Sequence, residues 1–145
     1  MTGLVLDASV ALKWAIASAD EPFTAESLRL LNRYVEGEIN FIVPDIFWAE
    51  TANVLWKGVR RRHWSSALAT SASSGLADLD FFTVSSRELL SQALQLALVH
   101  SRTVYDCLYI ALAIQFNTDL ITADERLANS LAARLPVKWV GSLYS

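Results

Sequence analysis

Residues 4–14, with the sequence LVLDASVALKW, combine a strand pattern with the start of a helix. The first three residues are typical of a short buried strand, and a helical pattern follows from Val10. Asp7 comes directly after the strand. Because ligands of parallel sheets bind outside the carboxyl ends of the strands, Asp7 is a candidate site residue.

The same order of strand and helix recurs along the chain and predicts an α/β fold. Strands separated by helical stretches indicate right-handed crossovers, and these build a mainly parallel sheet. We expect a five-stranded sheet within one domain over residues 1–145. The predicted strands are residues 4–6, 40–43, 81–84, 120–122 and 137–140.

The composition of the chain excludes several classes of protein. With 145 residues, of which 53% are hydrophobic and 19% charged, it is a folded globular domain and not a disordered tail. The single cysteine, Cys107, excludes an intramolecular disulfide framework and a cysteine-rich zinc site. It also favours a reducing compartment, here the cytoplasm. The longest apolar runs, 94–99 and 108–114, are far shorter than the ~20 residues of a membrane span.

Several acidic residues have an ordinary structural explanation. Asp45 and Asp124 stand where helices begin and are therefore candidate N-caps. For Asp7, capping of the helix after the first strand is the alternative to a role in a site. Asp119 lies in a predicted turn. These explanations stay open beside a role in a site.

Glu50 and Asp106 are harder to explain as surface residues. Glu50 lies within the stretch IFWAETANVLW, and Asp106 lies within the strongly apolar stretch VYDCLYIALA. A carboxylate in such a helix must lie at its first turn, be paired or bind a metal, because burying an unpaired charge is costly. Together with Asp7 and Asp124 at strand ends, these residues predict a shared acidic site.

Four converging carboxylates repel one another unless a cation joins them. Mg²⁺ and Mn²⁺ prefer oxygen ligands, keep several waters and reach substrate phosphates. The implied chemistry is metal-assisted hydrolysis of a phosphodiester bond. The sequence has no Cys–His nucleophile pair, and neither His63 nor His100 has metal-ligand spacing.

A basic run follows Glu50 on the same predicted helix and contains Lys57, Arg60, Arg61 and Arg62. At about 100° per residue, Lys57 and Arg61 lie on the Glu50 side of that helix. We predict that both bind phosphates of a nucleic acid that leads to the carboxylates. The alternatives are a solvated helix end whose cations suit the helix dipole, or a docking site for an acidic partner segment. The net charge of −3 does not exclude nucleic acid, because setting the four site acids aside leaves slightly more basic than acidic residues.

Four stretches resemble, in order, the acidic motifs of PIN-domain proteins and more narrowly of VapC-type toxins of toxin–antitoxin modules. One departure is Cys107, which follows Asp106 where a small residue such as Ala is expected. The four stretches are residues 4–14, 48–55 (WAETANVL), 104–113 (VYDCLYIALA) and 120–127 (LITADERL).

The resemblance implies a PIN-like three-layer α/β/α fold and a Mg²⁺- or Mn²⁺-dependent endoribonuclease, the toxin of a type II toxin–antitoxin system. Its partners would be RNA and a small VapB-type antitoxin. A homodimer follows from the resemblance and from the high mean hydropathy of +0.31. By the resemblance, the hydroxyls of Ser9 and Thr122 position a ligand, water or carboxylate. The catalytic and metal-binding acids would be Asp7, Glu50, Asp106 and Asp124.

Three other functions remain open at the level of sequence. The chain could be a housekeeping PIN nuclease that processes RNA without an antitoxin, or a catalytically silent PIN-like binding module. A haloacid-dehalogenase-type phosphatase is disfavoured, because that fold needs a second Asp two residues after the first, and Ser9 stands there.

Overall fold

The computed structural model describes residues 2–16 and 22–144. Within them, the strands form one five-stranded sheet with the order β3-β2-β1-β4-β5, and all four pairings are parallel. The prediction of a mainly parallel five-stranded sheet is therefore confirmed. The strands are β1 (Thr2–Leu6), β2 (Ile39–Pro44), β3 (Phe82–Val84), β4 (Leu120–Thr122) and β5 (Val137–Trp139).

Seven helices connect these strands in the described part of the chain, and a short 3₁₀ turn at Val140–Ser142 follows β5. The chain moves from β1 to β3 in one direction and then crosses to β4 and β5 on the other side. Right-handed crossovers therefore place the first four helices on one face and the last three on the other. Contacts among α1–α4, and between α5 and α6, agree with these three layers. The helices are α1 (Ala8–Ala15), α2 (Thr24–Val35), α3 (Ile46–Arg60), α4 (Ser66–Ala77), α5 (Ser86–His100), α6 (Val104–Gln115) and α7 (Glu125–Leu131).

The core is built around the central strands and α6. Residues 107–113 of α6 are all buried, which follows from the near absence of polar residues in that stretch. The two ends of the helix are different, because Tyr105 is 65% exposed and Phe116 is 41% exposed. Among the described residues, no helix is long and apolar enough to cross a membrane.

The connections that follow the neighbouring strands β1 and β4 run to opposite sides of the sheet, so the topological switch point lies between these two strands. Such a switch point opens a crevice at the carboxyl ends of the strands. The backbone N–H of Asp7 donates to the carbonyl of Ile121 over 3.0 Å and so continues the pairing of β1 with β4 by one residue. The side chain of Asp7 is thereby brought beside the last residue of β4.

Candidate active site

Asp7 occupies the N-cap position of α1, but its carboxylate makes no capping hydrogen bond. Instead, one carboxylate oxygen, Oδ2, accepts from Ser9 Oγ over 2.8 Å and from Thr122 Oγ1 over 2.7 Å. The capping alternative for Asp7 is therefore wrong. The acid is held by hydroxyls from two different segments of the chain.

The two hydroxyls are themselves fixed by the loop after β4. Ser9 Oγ accepts from the N–H of Ala123 over 3.1 Å, and Thr122 Oγ1 accepts from the N–H of Asp124 over 3.0 Å. Because a hydroxyl has a single proton to donate, these backbone contacts orient each proton towards Asp7. Thr122 is fully buried. The orientation of the Asp7 carboxylate is thus set by tertiary structure.

Glu50 projects from α3, is half-buried and accepts a hydrogen bond from Tyr109. The bond runs from the Tyr109 hydroxyl to Glu50 Oε2 over 2.9 Å and joins α3 to α6. Tyr109 is not among the site residues predicted from the sequence, because it stands in a strongly apolar helix. A signal was present, because a buried Tyr needs a partner for its hydroxyl, and this one lies three residues after Asp106, on the same helix face.

Asp106 lies in the first turn of α6. Its backbone N–H donates to Thr103 Oγ1 over 3.1 Å, so Thr103 is the N-cap of the helix. This position makes the acid tolerable in an apolar helix, since the carboxylate is only half-buried and lies near the helix N-terminus. Burial raises the pKa of Asp106, and the charge of Arg102 offsets part of that rise.

Asp124 is exposed and caps α7, because its Oδ1 accepts from the N–H of Leu127 over 3.1 Å. The ordinary N-cap explanation is therefore correct for Asp124, although its charge also raises the pKa of Asp106.

Two further acids lie outside the site. The N-cap explanation is wrong for Asp45, whose side chain makes no capping bond and accepts from Ser86 Oγ instead. Asp119 forms an ion pair with Lys138 at 3.1 Å.

The carboxylates of the site disfavour one another's ionisation. Burial raises the pKa of Asp7, and the charge of Asp106 raises it further against the lowering effect of the two hydroxyls. Burial likewise raises the pKa of Glu50, with contributions from Asp7 and Asp106. The pKa of Asp106 is raised by burial and by Asp124. The pKa of Tyr109 is raised far above its usual value by burial and by two of these acids, so its hydroxyl stays a hydrogen-bond donor.

A cavity of about 750 Å³ opens beside two of these carboxylates, and its lining includes Asp7, Ser9 and Glu50 but not Asp106 or Asp124. Of the two basic residues predicted to bind phosphate, Lys57 lines this cavity. Arg61 lies at the C-cap of α3 and is exposed, outside the described lining of the cavity.

The donor set suits a hard divalent cation. Carboxylate oxygens are the preferred ligands of Mg²⁺ and Mn²⁺, and a cation would relieve the repulsion that raises these pKa values. Within residues 2–16 and 22–144, however, no group of three or more His, Cys, Asp or Glu side chains has the spacing of a formed metal site. Mg²⁺ usually takes only one or two protein carboxylates and completes its shell with water, so this arrangement fits it.

A family model described as "PIN domain" matches residues 4–130 of the chain. The chain belongs to the PIN-domain family. A relative of this PIN domain is Ribonuclease VapC3 from Pyrobaculum aerophilum, with 36% identity over 90% of this chain and 95% of the relative. The resemblance to VapC-type proteins is thereby confirmed.

Two solved structures share the fold of this PIN domain. A crystal structure of a protein from Pyrobaculum aerophilum has a TM-score of 0.68 at 20% identity and covers 98% of this chain and 86% of that one. A toxin–antitoxin complex from Klebsiella pneumoniae contains a chain with a TM-score of 0.58 at 12% identity, covering 93% of this chain and 95% of that one. At these identities the structures establish the three-layer fold alone.

Proposed function

We propose that this PIN domain is a Mg²⁺- or Mn²⁺-dependent endoribonuclease and the toxin of a type II toxin–antitoxin system. The observation that carries the proposal is the group of carboxylates at the switch point of the sheet, whose charges raise one another's pKa values. The relative named as a ribonuclease supports the substrate class. The neighbour described as a toxin–antitoxin complex supports an antitoxin partner of the VapB type.

Asp7 and Asp106 are the proposed direct metal ligands, and Glu50 and Asp124 complete the site directly or through water. A divalent cation held by these residues would lower the pKa of a bound water and offset the charge that builds up on the phosphate. Asp124 uses Oδ1 to cap α7, which leaves Oδ2 for this role.

The chain's own residues prepare this chemistry before RNA arrives. Ser9 and Thr122 hold Asp7 in one orientation. Tyr109 occupies Oε2 of Glu50, so the other oxygen, Oε1, is the one that orients the attacking water.

The proposal includes the binding of the RNA backbone and the state of the protein in the cell. Lys57 binds the phosphate at the cavity, and Arg61 contacts a phosphate further along the strand. The chain acts as a single PIN-like domain over residues 1–145, as a homodimer, in the cytoplasm.

The test is cleavage of RNA by purified protein with Mg²⁺ or Mn²⁺, with EDTA, and with an Asp7→Asn variant. We expect EDTA to abolish cleavage and Asp7→Asn to lower it by two orders of magnitude or more, which is about the effect of losing one group from a preorganised charged site. Asp119→Asn is the matched control, because Asp119 pairs with Lys138 away from the cavity lining. Full activity of Asp7→Asn, or cleavage unaffected by EDTA, would contradict the proposal.

The toxin role is tested separately, by the growth of a host that expresses the protein. Expression of the wild type, but not of Asp7→Asn, should arrest growth of the host. Active protein that leaves growth unaffected would point to a nuclease without a toxin role.

A further inference from the structure

The cavity beside Asp7 and Glu50 has two chemically different kinds of lining. One is charged and polar and contains the two carboxylates and Ser9. The other is apolar. Its apolar residues are Ala8, Leu12, Ile46, Ala49 and Val54.

Metal and phosphate chemistry accounts for only the first kind of lining. A cation and a phosphodiester bind to oxygens, charges and N–H donors, and neither gains from aliphatic side chains. A nucleobase does, because its faces are apolar while its edges carry donors and acceptors. Single-stranded RNA offers such bases unstacked. The volume of about 750 Å³ lies within the range of ordinary ligand sites.

Tyr105 supplies an aromatic face at this cavity. It lies in the first turn of α6, directly before Asp106, and lines the cavity. Tyr105 is 65% exposed, whereas residues 107–113 of the same helix are buried. Base–aromatic stacking is the usual way in which proteins hold single-stranded nucleic acid, and every base has a face for it.

Asn53 and Lys57 extend the cavity along α3. They follow Glu50 by three and seven residues, which places all three on one helix face, and all three line the cavity. The amide of Asn53 can both donate and accept, as the recognition of a base edge requires. The ammonium of Lys57 suits the adjacent phosphate.

We propose that this cavity is a subsite for one nucleobase of single-stranded RNA, next to the phosphate that is cleaved. The base stacks on Tyr105, and Asn53 contacts its edge. The inference rests on the proposed ribonuclease function and adds a determinant of substrate recognition to it. It predicts a base preference at one nucleotide position beside the cleavage site.

The experiment scans an abasic nucleotide through a short single-stranded RNA with one cleavage site. For the wild type, one position beside that site should show a loss of kcat/KM of about tenfold, the scale of one stacked base. At that position, Tyr105→Leu should lose the same factor on intact RNA and show no further loss on abasic RNA, because both changes remove the same contact.

Three further variants test the roles of the aromatic ring, of the base-edge contact and of position in the cavity. Tyr105→Phe keeps the ring and should keep the activity. Asn53→Ala should reduce the discrimination among the four bases at that position. Phe82→Leu is the matched control, since Phe82 is an aromatic residue 59% exposed outside this cavity, and it should change nothing.

A binding measurement separates this inference from the proposed function. The affinity of the same RNAs is measured in EDTA with Asp7→Asn as the background, so that neither metal nor turnover contributes. A loss of about tenfold for Tyr105→Leu, absent on the abasic RNA, supports the subsite even if no RNA is cleaved. An abasic scan in which no position shows a specific loss would overturn the inference. So would a combined loss, for Tyr105→Leu on abasic RNA, equal to the product of the two separate losses, because the two changes would then remove independent contacts.

Discussion

Asp7 combines features that oppose each other at the scale of a single residue. Two hydroxyls donate to its Oδ2, which favours the charged form, yet burial and the charge of Asp106 raise its pKa overall. A carboxylate oriented by fixed donors but unfavourable as a free anion is suited to bind a cation. The hydrogen bonds fix its geometry, while its neighbours make the bare charge costly.

The raised pKa predicts how stability depends on pH. The folded protein holds the Asp7 proton more tightly than the unfolded chain, whose Asp pKa is about 3.9. The stabilising contribution is therefore complete below that value and is lost as the pH rises through the higher folded pKa. In the Asp7→Asn variant no charge forms at this position as the pH rises, so this loss of stability does not occur. The amide oxygen of the new side chain can still accept from Ser9 and Thr122.

In EDTA at pH 8, the variant should be more stable than the wild type, because burial and the charge of Asp106 make the charged form of Asp7 unfavourable in the folded protein. Urea unfolding at pH 4 and pH 8 measures this difference, which should shrink at the lower pH. A variant less stable than the wild type at pH 8 would show that the charge of Asp7 is compensated.

At the scale of secondary structure, the N-terminus of α6 determines where Asp106 lies. Thr103 accepts from the N–H of Asp106 and so defines the first turn of the helix. The same kind of cap starts α4, where Ser65 accepts from the N–H of Leu68 over 3.1 Å. Of these two caps, that of α6 lies next to a site residue and that of α4 does not, so the two form a matched pair.

Thr103→Ala and Ser65→Ala should each lower the free energy of unfolding by about 1 kcal/mol. Thr103→Ala alone should also lower kcat/KM for RNA, because it loosens the turn that carries Asp106. Thermal unfolding and RNA cleavage measured on both variants check this expectation. Equal cleavage by the two would show that Asp106 is held by other contacts.

At the scale of the whole molecule, α5 carries an apolar stripe that remains exposed in the described fold. Leu90, Leu94 and Leu98 follow one another at intervals of four residues and are 48%, 51% and 74% exposed. A row of this kind on one helix face is typical of an interface with another chain. It agrees with the homodimer that the high mean hydropathy predicts.

Sedimentation at micromolar concentration should therefore find a dimer. The double substitution Leu94→Glu and Leu98→Glu should convert it to a monomer, since buried unpaired charges oppose association. Val35→Glu, at an apolar residue of α2 that is 73% exposed, is the control and should leave the dimer intact. A monomeric wild type would contradict the prediction of a homodimer.

The angle of Arg61 around the axis of α3 does not place it at the cavity. Arg61 has nearly the same angle around the helix as Glu50, but it lies eleven residues later, which is roughly 16 Å along the axis at 1.5 Å per residue. The helix also ends at Arg60. Lys57, four residues nearer, reaches the cavity. An angle alone does not establish proximity.

The sequence by itself determined the succession of strands and helices and singled out Asp7, Glu50, Asp106 and Asp124, because periodicity and an acid in an apolar helix are local signals. Only the tertiary structure decided the strand order that brings Thr122 against Asp7, and the packing that brings Tyr109 against Glu50. Those pairs are 115 and 59 residues apart in the chain. Contacts at such separations depend on how whole elements pack, and no local pattern records that.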